Sequence, residues 1–145
     1  MLFFEDIEPG PARELGEHAV SREEIVRFAS EWDPQPFHLD EEQANRSVFG
    51  GLTASSSQPY AISALIFSKH PERLAVAAML GLTLGFPEPV RPADVLRLRD
   101  QCTGKRLSRS RPGHGVVKSR TALVNQADRE VFVLESSYMV RCRGS

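Results

Sequence analysis

The chain lacks an excess of either charge, since its 145 residues include 18 Lys and Arg against 19 Asp and Glu, a formal net charge of −1. Such a balance gives no general attraction to nucleic acid or to an anionic membrane. The longest nearly apolar run, residues 75–86, is shorter than the roughly 20 residues that a membrane-spanning helix needs. We therefore expect no nucleic-acid partner and no membrane partner.

Cysteine is also scarce. The two thiols, Cys102 and Cys142, form no C-x-x-C pair, and we expect both to be reduced. No His or Cys pair has a spacing that would converge on a metal ion. No signal peptide is evident, because the apolar residues 1–4 run straight into Glu5 and Asp6. These absences predict a cytoplasmic protein without a bound metal.

Length and composition fit one domain over residues 1–145. Hydrophobic residues make up 41% of the chain. A chain of this size buries roughly 68–70% of the surface that it would expose when unfolded, so one core is stable without disulfides. The sequence contains no repeat, low-complexity tract or linker.

Two short helices are predicted in the first third of the chain. Ser21 begins a capping box, and apolar side chains follow at helical spacing, which predicts a helix over about 22–32. Residues 33–36 (DPQP) end it, because each proline disfavours helical geometry in the residue before it, and we expect this segment to be extended. Asp40 supplies an N-cap for a second short helix.

A longer helix and a run of about four strands follow. The serines at 55–57 offer capping hydroxyls, and residues 60–67 are apolar around nearly the whole circumference, which predicts a buried helix that ends near His70. The clearest strand segments are 95–103, 116–124 and 131–140, with a turn at 125–128 between the last two. This order predicts an α+β fold in which an antiparallel sheet wraps one long central helix.

Asp33 and His38 are the first candidates for chemistry. A carboxylate and a neutral imidazole held on one rigid segment can contact the same water, one accepting a proton and the other donating or relaying it. Such a pair is equipped to add or remove water. The structural alternative is that Asp33 caps a turn and His38 lies on the surface. A triad with one of the serines at 55–57 is disfavoured, because no G-x-S-x-G elbow is present.

The residues around this pair carry a resemblance to a known family. Residues 32–40 (WDPQPFHLD), 49–52 (FGGL) and 89–94 (PVRPAD) occur in the family's order and at suitable distances. Similar matches at residues 4–10, 108–112 and 125–126 extend it over nearly the whole chain. The chain resembles the MaoC-like acyl dehydratases.

The resemblance implies a hot-dog fold, a homodimer and a reaction. That reaction is the reversible hydration of a trans-2-enoyl thioester to an (R)-3-hydroxyacyl thioester, with coenzyme A as part of the substrate and no other cofactor. Asp33 and His38 match the family's catalytic pair, and the backbone N–H of Ser56 or Ser57 would hold the thioester oxygen as negative charge develops on it.

Arginines near the family's segments are candidates for binding the phosphates of coenzyme A. Arg109 and Arg111 belong to a cationic cluster before Pro112, and Arg91 lies in the 89–94 segment. The alternatives are a solvated loop for the cluster and a salt bridge at a strand end for Arg91.

The chain departs from the family pattern before the central helix. Where relatives usually read Ala-Ser-Gly followed by Trp-His-Thr, residues 54–59 read ASSSQP, and Ala93 stands where a glycine is usual. Ser56 replaces the glycine, and its Cβ disfavours positive φ, while Pro59 removes one N–H donor. Ser63 is the nearest candidate for the serine that orients the aspartate in related hydratases.

Two other functions stay open beside hydration. The departure at residues 54–59 is compatible with a protein that binds acyl-CoA without turning it over. The same fold and helix terminus can also polarise a thioester for hydrolysis, with Asp33 activating water, as in a thioesterase.

Overall fold

The computed structural model describes residues 1–145 as five strands, four α-helices and a 3₁₀ turn at Phe4–Asp6. The strands are β1 (Arg13–Ala19), β2 (Val76–Gly85), β3 (Val95–Leu107), β4 (His114–Val124) and β5 (Glu130–Arg141). The helices are α1 (Arg22–Trp32), α2 (Pro36–Leu39), α3 (Glu41–Asn45) and α4 (Ser57–Lys69). None of the helices combines the length and the apolar character needed to cross a membrane.

All five strands form one antiparallel sheet in the order β1-β3-β4-β5-β2. The sheet wraps α4, because Ile62 and Ile66 on the helix pack into one core with Leu98, Leu123 and Phe132 on β3, β4 and β5. Apolar burial of this kind is the main favourable contribution to folding. The predicted α+β hot-dog fold is confirmed.

The helix starts that were predicted from capping residues are confirmed. Helix α1 spans the predicted residues, and the Ser21 hydroxyl accepts the Glu24 N–H at 3.0 Å. Helix α3 follows Asp40, whose carboxylate accepts the Gln43 N–H at 2.8 Å. Helix α4 ends at Lys69 with His70 as its C-cap, close to the predicted end. Cys102 and Cys142 are both free, also as predicted.

The structure differs from the local predictions at two places. Residues 33–35 lie outside the helices, as predicted, but Pro36 begins the helical turn α2 instead of ending an extended segment. Proline is tolerated at this first position because its missing N–H leaves no hydrogen bond unmade. Strand β1 was not predicted, because it lies at the sheet edge, is only partly buried and has a register shift at Gly16 that interrupts its alternation.

Helix α4 is also less enclosed than its sequence predicted. In a single chain one apolar stripe stays open, with Tyr60 36% and Leu65 38% exposed. The all-round hydrophobicity of this helix therefore exceeds what the chain's own sheet covers.

The turn before β3 has a strained residue. Ala93 has φ +70°, in the left-handed region, and its N–H donates to the Val20 carbonyl at 2.8 Å. A Cβ in this region is unfavourable, whereas glycine adopts it readily. We expect Ala93→Gly to raise the free energy of unfolding by about 0.5–1 kcal/mol in urea titrations. Ala127→Gly is the control. Ala127 lacks a positive φ, so the free energy of unfolding of this variant should fall instead of rising.

Candidate active site

A cleft of about 570 Å³ opens where α2, the start of α4 and the segment after β2 meet. Its walls include both members of the predicted acid–base pair, Asp33 and His38. Ser56 from the start of α4 and Phe86 from the segment after β2 line the same cleft. The structure thus brings the residues of three separate segments to one cavity.

The backbone carbonyl of Thr53 holds the His38 ring in one tautomer. Its ring is buried, and Nδ1 lies 2.7 Å from the Thr53 carbonyl oxygen. A carbonyl can only accept, so Nδ1 carries the proton and donates it. In the neutral ring Nε2 is then free to accept, and it faces Asp33 with 3.5 Å between Nε2 and Oδ2. An edge-on contact with the Phe37 ring, at 4.5 Å between centroids, further restricts the imidazole.

Asp33 lies at the end of α1, where its N–H donates to the Ala29 carbonyl. Its side chain is 30% exposed, so the carboxylate reaches the cleft without being fully solvated. The Ser55 hydroxyl donates to Asp33 Oδ2 at 2.7 Å. Ser55 itself is completely buried, so this hydrogen bond fixes the direction of the carboxylate.

The serine that orients Asp33 is therefore Ser55, and the prediction of Ser63 was wrong. The Ser63 hydroxyl donates to the Tyr60 carbonyl, one turn earlier in α4. Ser63 lies on the helix about two turns beyond Ser55, which excludes it from the start of α4. The Ser55 hydroxyl was visible in the sequence only as one of three consecutive serines.

The start of α4 offers a backbone donor to the cleft. Ser56 has φ −59° and ψ −24°, an ordinary helical conformation, so a glycine is not required for the backbone geometry here. The Ser56 N–H forms no hydrogen bond within the chain, and the Ser57 N–H is 3.3 Å from the Ser55 hydroxyl oxygen. Pro59 is the third helical residue, where an N–H would have no intrahelical partner. A helix N-terminus favours negative charge.

One further polar atom in the cleft has no partner. The Thr53 hydroxyl is buried and makes no hydrogen bond within the chain, although Thr53 belongs to the cleft wall. Burying such a group unpaired is unfavourable, so it is suited to bind a water molecule or a ligand atom beside His38. The side-chain amide of Gln58 is likewise buried without a partner, and nothing in the structure explains it.

The three arginines predicted to bind phosphate lie in two places. Arg91 donates to the Phe49 carbonyl and so braces the loop beside the cleft. Arg109 and Arg111 lie in the loop between β3 and β4, at the opposite end of β3 from the turn at Arg91. Within one chain these two arginines do not converge on the cleft. No group of three or more His, Cys, Asp or Glu side chains is arranged to hold a metal ion.

Known proteins resemble this chain in sequence and structure. Residues 6–125 match the family model described as MaoC like domain. The uncharacterized protein YdeM of Bacillus subtilis is 32% identical over 126 residues, which cover 84% of this chain and 86% of that protein. The 3-hydroxybutyryl-CoA dehydratase of Methylorubrum extorquens is 34% identical over 101 residues, covering 68% of this chain and 62% of that protein. The crystal structure of the MaoC-like dehydratase from Rhodospirillum rubrum has 35% identity and a TM-score of 0.94, with 100% of both chains covered.

Proposed function

Because the chain belongs to the MaoC-like dehydratase family, we propose that it is an (R)-specific enoyl-CoA hydratase, a hydro-lyase that also dehydrates (R)-3-hydroxyacyl-CoA in reverse. One observation carries this proposal. The Asp33 carboxylate, oriented by Ser55, lies 3.5 Å from His38 Nε2 in a cleft that also contains the free Ser56 N–H. The proposed reaction needs no cofactor beyond the coenzyme A of its substrate.

In the proposed reaction a water molecule binds between Asp33 Oδ2 and His38 Nε2. The carboxylate accepts one proton from the water as the water oxygen adds to C3 of the enoyl group. The electron pair of the double bond moves to the thioester oxygen, where the Ser56 N–H and the dipole of α4 stabilise the enolate. A proton then passes from the acid–base pair to C2, which gives the (R)-3-hydroxyacyl product and restores the carboxylate.

The test is the loss of enoyl absorbance when the purified protein meets trans-2-enoyl-CoA thioesters of increasing chain length. We expect absorbance to fall without release of free thiol. Thiol release instead would favour a thioesterase. Tight binding of acyl-CoA with no change in absorbance at any chain length would favour a binding protein, and would contradict hydration.

Ser55→Ala tests the orientation of the base. Ser55 makes one hydrogen bond to a charged group, and such bonds contribute about 1.5–3 kcal/mol, so we expect kcat to fall about 10- to 100-fold. KM should change little, because Ser55 is buried behind Asp33 and does not line the cleft. Ser30→Ala, which removes a surface hydroxyl on α1 that donates to the Val26 carbonyl, is the control and should leave both parameters unchanged.

We further propose that the working unit is a homodimer joined along β2. This strand is an edge of the sheet, and its apolar side chains are exposed, including Val76, Met79, Leu80 and Leu82 at 42–51%. An unpaired apolar edge of this kind favours pairing with another chain. The exposed stripe of α4 would be covered by the same partner.

Antiparallel pairing of two β2 strands would also bring the predicted phosphate ligands to the cleft. Strand β2 runs towards Phe86 at the cleft, and β4 begins at the same end of the sheet as β2, since both are antiparallel to β5, which lies between them. The twofold operation of such a dimer therefore sets the loop that carries Arg109 and Arg111 of one copy at the cleft end of the other. This arrangement supports the predicted role of both arginines in binding coenzyme A.

A further inference from the structure

A band of polar side chains crosses the inner face of the sheet. The inward positions of β3 are Leu96 and Leu98, but the next one is Asp100. The same change occurs on β4 and β5, the next two strands of the sheet, so that five inward residues form a polar band: Asp100, Ser119, Thr121, Ser136 and Tyr138. All five are at most 9% exposed. Their strand register places Asp100 directly opposite Thr121 and Ser119 directly opposite Ser136.

The polar band is partly satisfied by its own hydrogen bonds. The Thr121 hydroxyl donates to Asp100 Oδ1 at 2.8 Å, and the hydroxyl oxygens of Ser119 and Ser136 are 3.0 Å apart. Burial raises the pKa of the Asp100 carboxyl and of the Tyr138 hydroxyl. Polar groups are unfavourable in an apolar interior unless they are hydrogen-bonded. The two internal pairs leave further donors and acceptors of the band unused.

Those unused groups face a cavity rather than a packed core. A cavity of about 380 Å³ separates the polar band from the middle of α4, where Tyr60, Ser63 and Phe67 form its other wall. All five residues of the band line it. In one chain this cavity is open to solvent on one side, since the half-exposed Val76 and Met79 also line it. A pocket with a polar side and an apolar side is suited to a ligand that is itself mixed in character.

This polar cavity continues the line of the active-site cleft along α4. Ser56 lines the cleft, and Tyr60 and Phe67 line the polar cavity, at spacings that share one helix face. Aromatic rings lie between the two spaces, because Phe132 lies 6.3 Å from Tyr60 and 5.9 Å from the Phe86 ring of the cleft, centroid to centroid. From Ser56 to the middle of the polar cavity the distance along the helix is about 12 Å.

We propose that the polar cavity binds a hydroxyl group at the far end of the substrate's acyl chain. This inference rests on the proposed function, and it names the substrate class as hydroxylated acyl thioesters of roughly ten carbons, a chain that spans the helix distance given above. The thioester lies at Ser56, the aliphatic middle passes the aromatic rings, and the terminal hydroxyl donates to Asp100. A plain hydrocarbon chain of that length would leave the polar band without its partner, which discriminates against it.

The test measures binding separately from turnover. The saturated thioesters 10-hydroxydecanoyl-CoA and decanoyl-CoA cannot be hydrated, and their dissociation constants are compared by titration calorimetry. We expect the hydroxylated ligand to bind about tenfold more tightly, as one hydrogen bond to a buried carboxyl group predicts. Asp100→Leu combined with Thr121→Val should abolish this preference. Ser137→Ala, on the opposite face of β5 from Ser136, is the control and should retain it.

Equal binding of the two ligands, or a preference that survives the double substitution, would overturn the inference. If the double variant does not fold, Thr121→Val alone provides the comparison, and a reduced preference is expected there. Turnover of trans-2-decenoyl-CoA and its 10-hydroxy derivative is measured in parallel. Turnover without a preference contradicts only the polar subsite, whereas a preference in binding without any turnover contradicts the hydratase and leaves the subsite standing.

Discussion

Asp33→Asn and His38→Ala should each lower kcat for enoyl-CoA hydration by about 10²–10⁴-fold, the usual contribution of a general acid–base group. An amide at position 33 can no longer accept the proton of water, although it still accepts the Ser55 hydroxyl. Alanine at position 38 removes Nε2, which faces the carboxylate at 3.5 Å. The measurement is the steady-state loss of enoyl absorbance at saturating substrate.

The double variant gives a sharper result than either single one. Because both side chains act on the same water, their losses should not multiply, and the double variant should be about as slow as the slower single variant. Asp128→Asn is the matched control, since Asp128 pairs with Arg97 and Arg99 on the surface and should keep full activity. Full activity in Asp33→Asn, with unchanged thermal unfolding, would remove the proposed mechanism.

The proximity of Asp33 and His38 could be predicted because the two residues are five positions apart, so local chain geometry keeps them close. Their partners could not be predicted in that way. Ser55 is 22 positions from Asp33, and its contact depends on how α1 packs beside the start of α4. The resemblance to related hydratases implied a serine on the central helix, for which Ser63 was the nearest candidate, whereas the contact is made by a residue before the helix begins.

The polar band shows what the sequence can and cannot predict about side chains on strands. The alternation along residues 95–103 identifies which side chains share a face, and it places Asp100 on the face of Leu96 and Leu98. It does not say how far that face lies from the helix that covers it. The carboxylate of Asp100 is tolerated inside because Thr121 lies opposite it and a cavity lies above it, and both depend on long-range register.

Lysines in place of Leu80 and Leu82 should separate the proposed dimer into monomers. These leucines are 51% and 42% exposed in one chain, and a dimer along β2 would bury them. Two buried, unpaired ammonium groups are strongly unfavourable, so the dimer dissociation constant should rise at least about a hundredfold. Sedimentation should show the native chain at twice 16.1 kDa and the variant at 16.1 kDa. Val48→Lys is the control, because Val48 is 97% exposed and lies away from β2, so its variant should remain dimeric.

The activity of these monomers separates the two roles of the partner. If the partner's loop binds coenzyme A, the KM for acyl-CoA should rise in the Leu80→Lys/Leu82→Lys variant. Charge reversal at Arg109 and Arg111 should raise KM similarly while the chain stays dimeric, because these side chains lie in the β3–β4 loop and not on β2. A native chain that sediments as a monomer would contradict the dimer. If the variant with charge reversal at Arg109 and Arg111 is dimeric and its KM is unchanged, the dimer proposal stands, but the loop is solvent-exposed and does not bind coenzyme A.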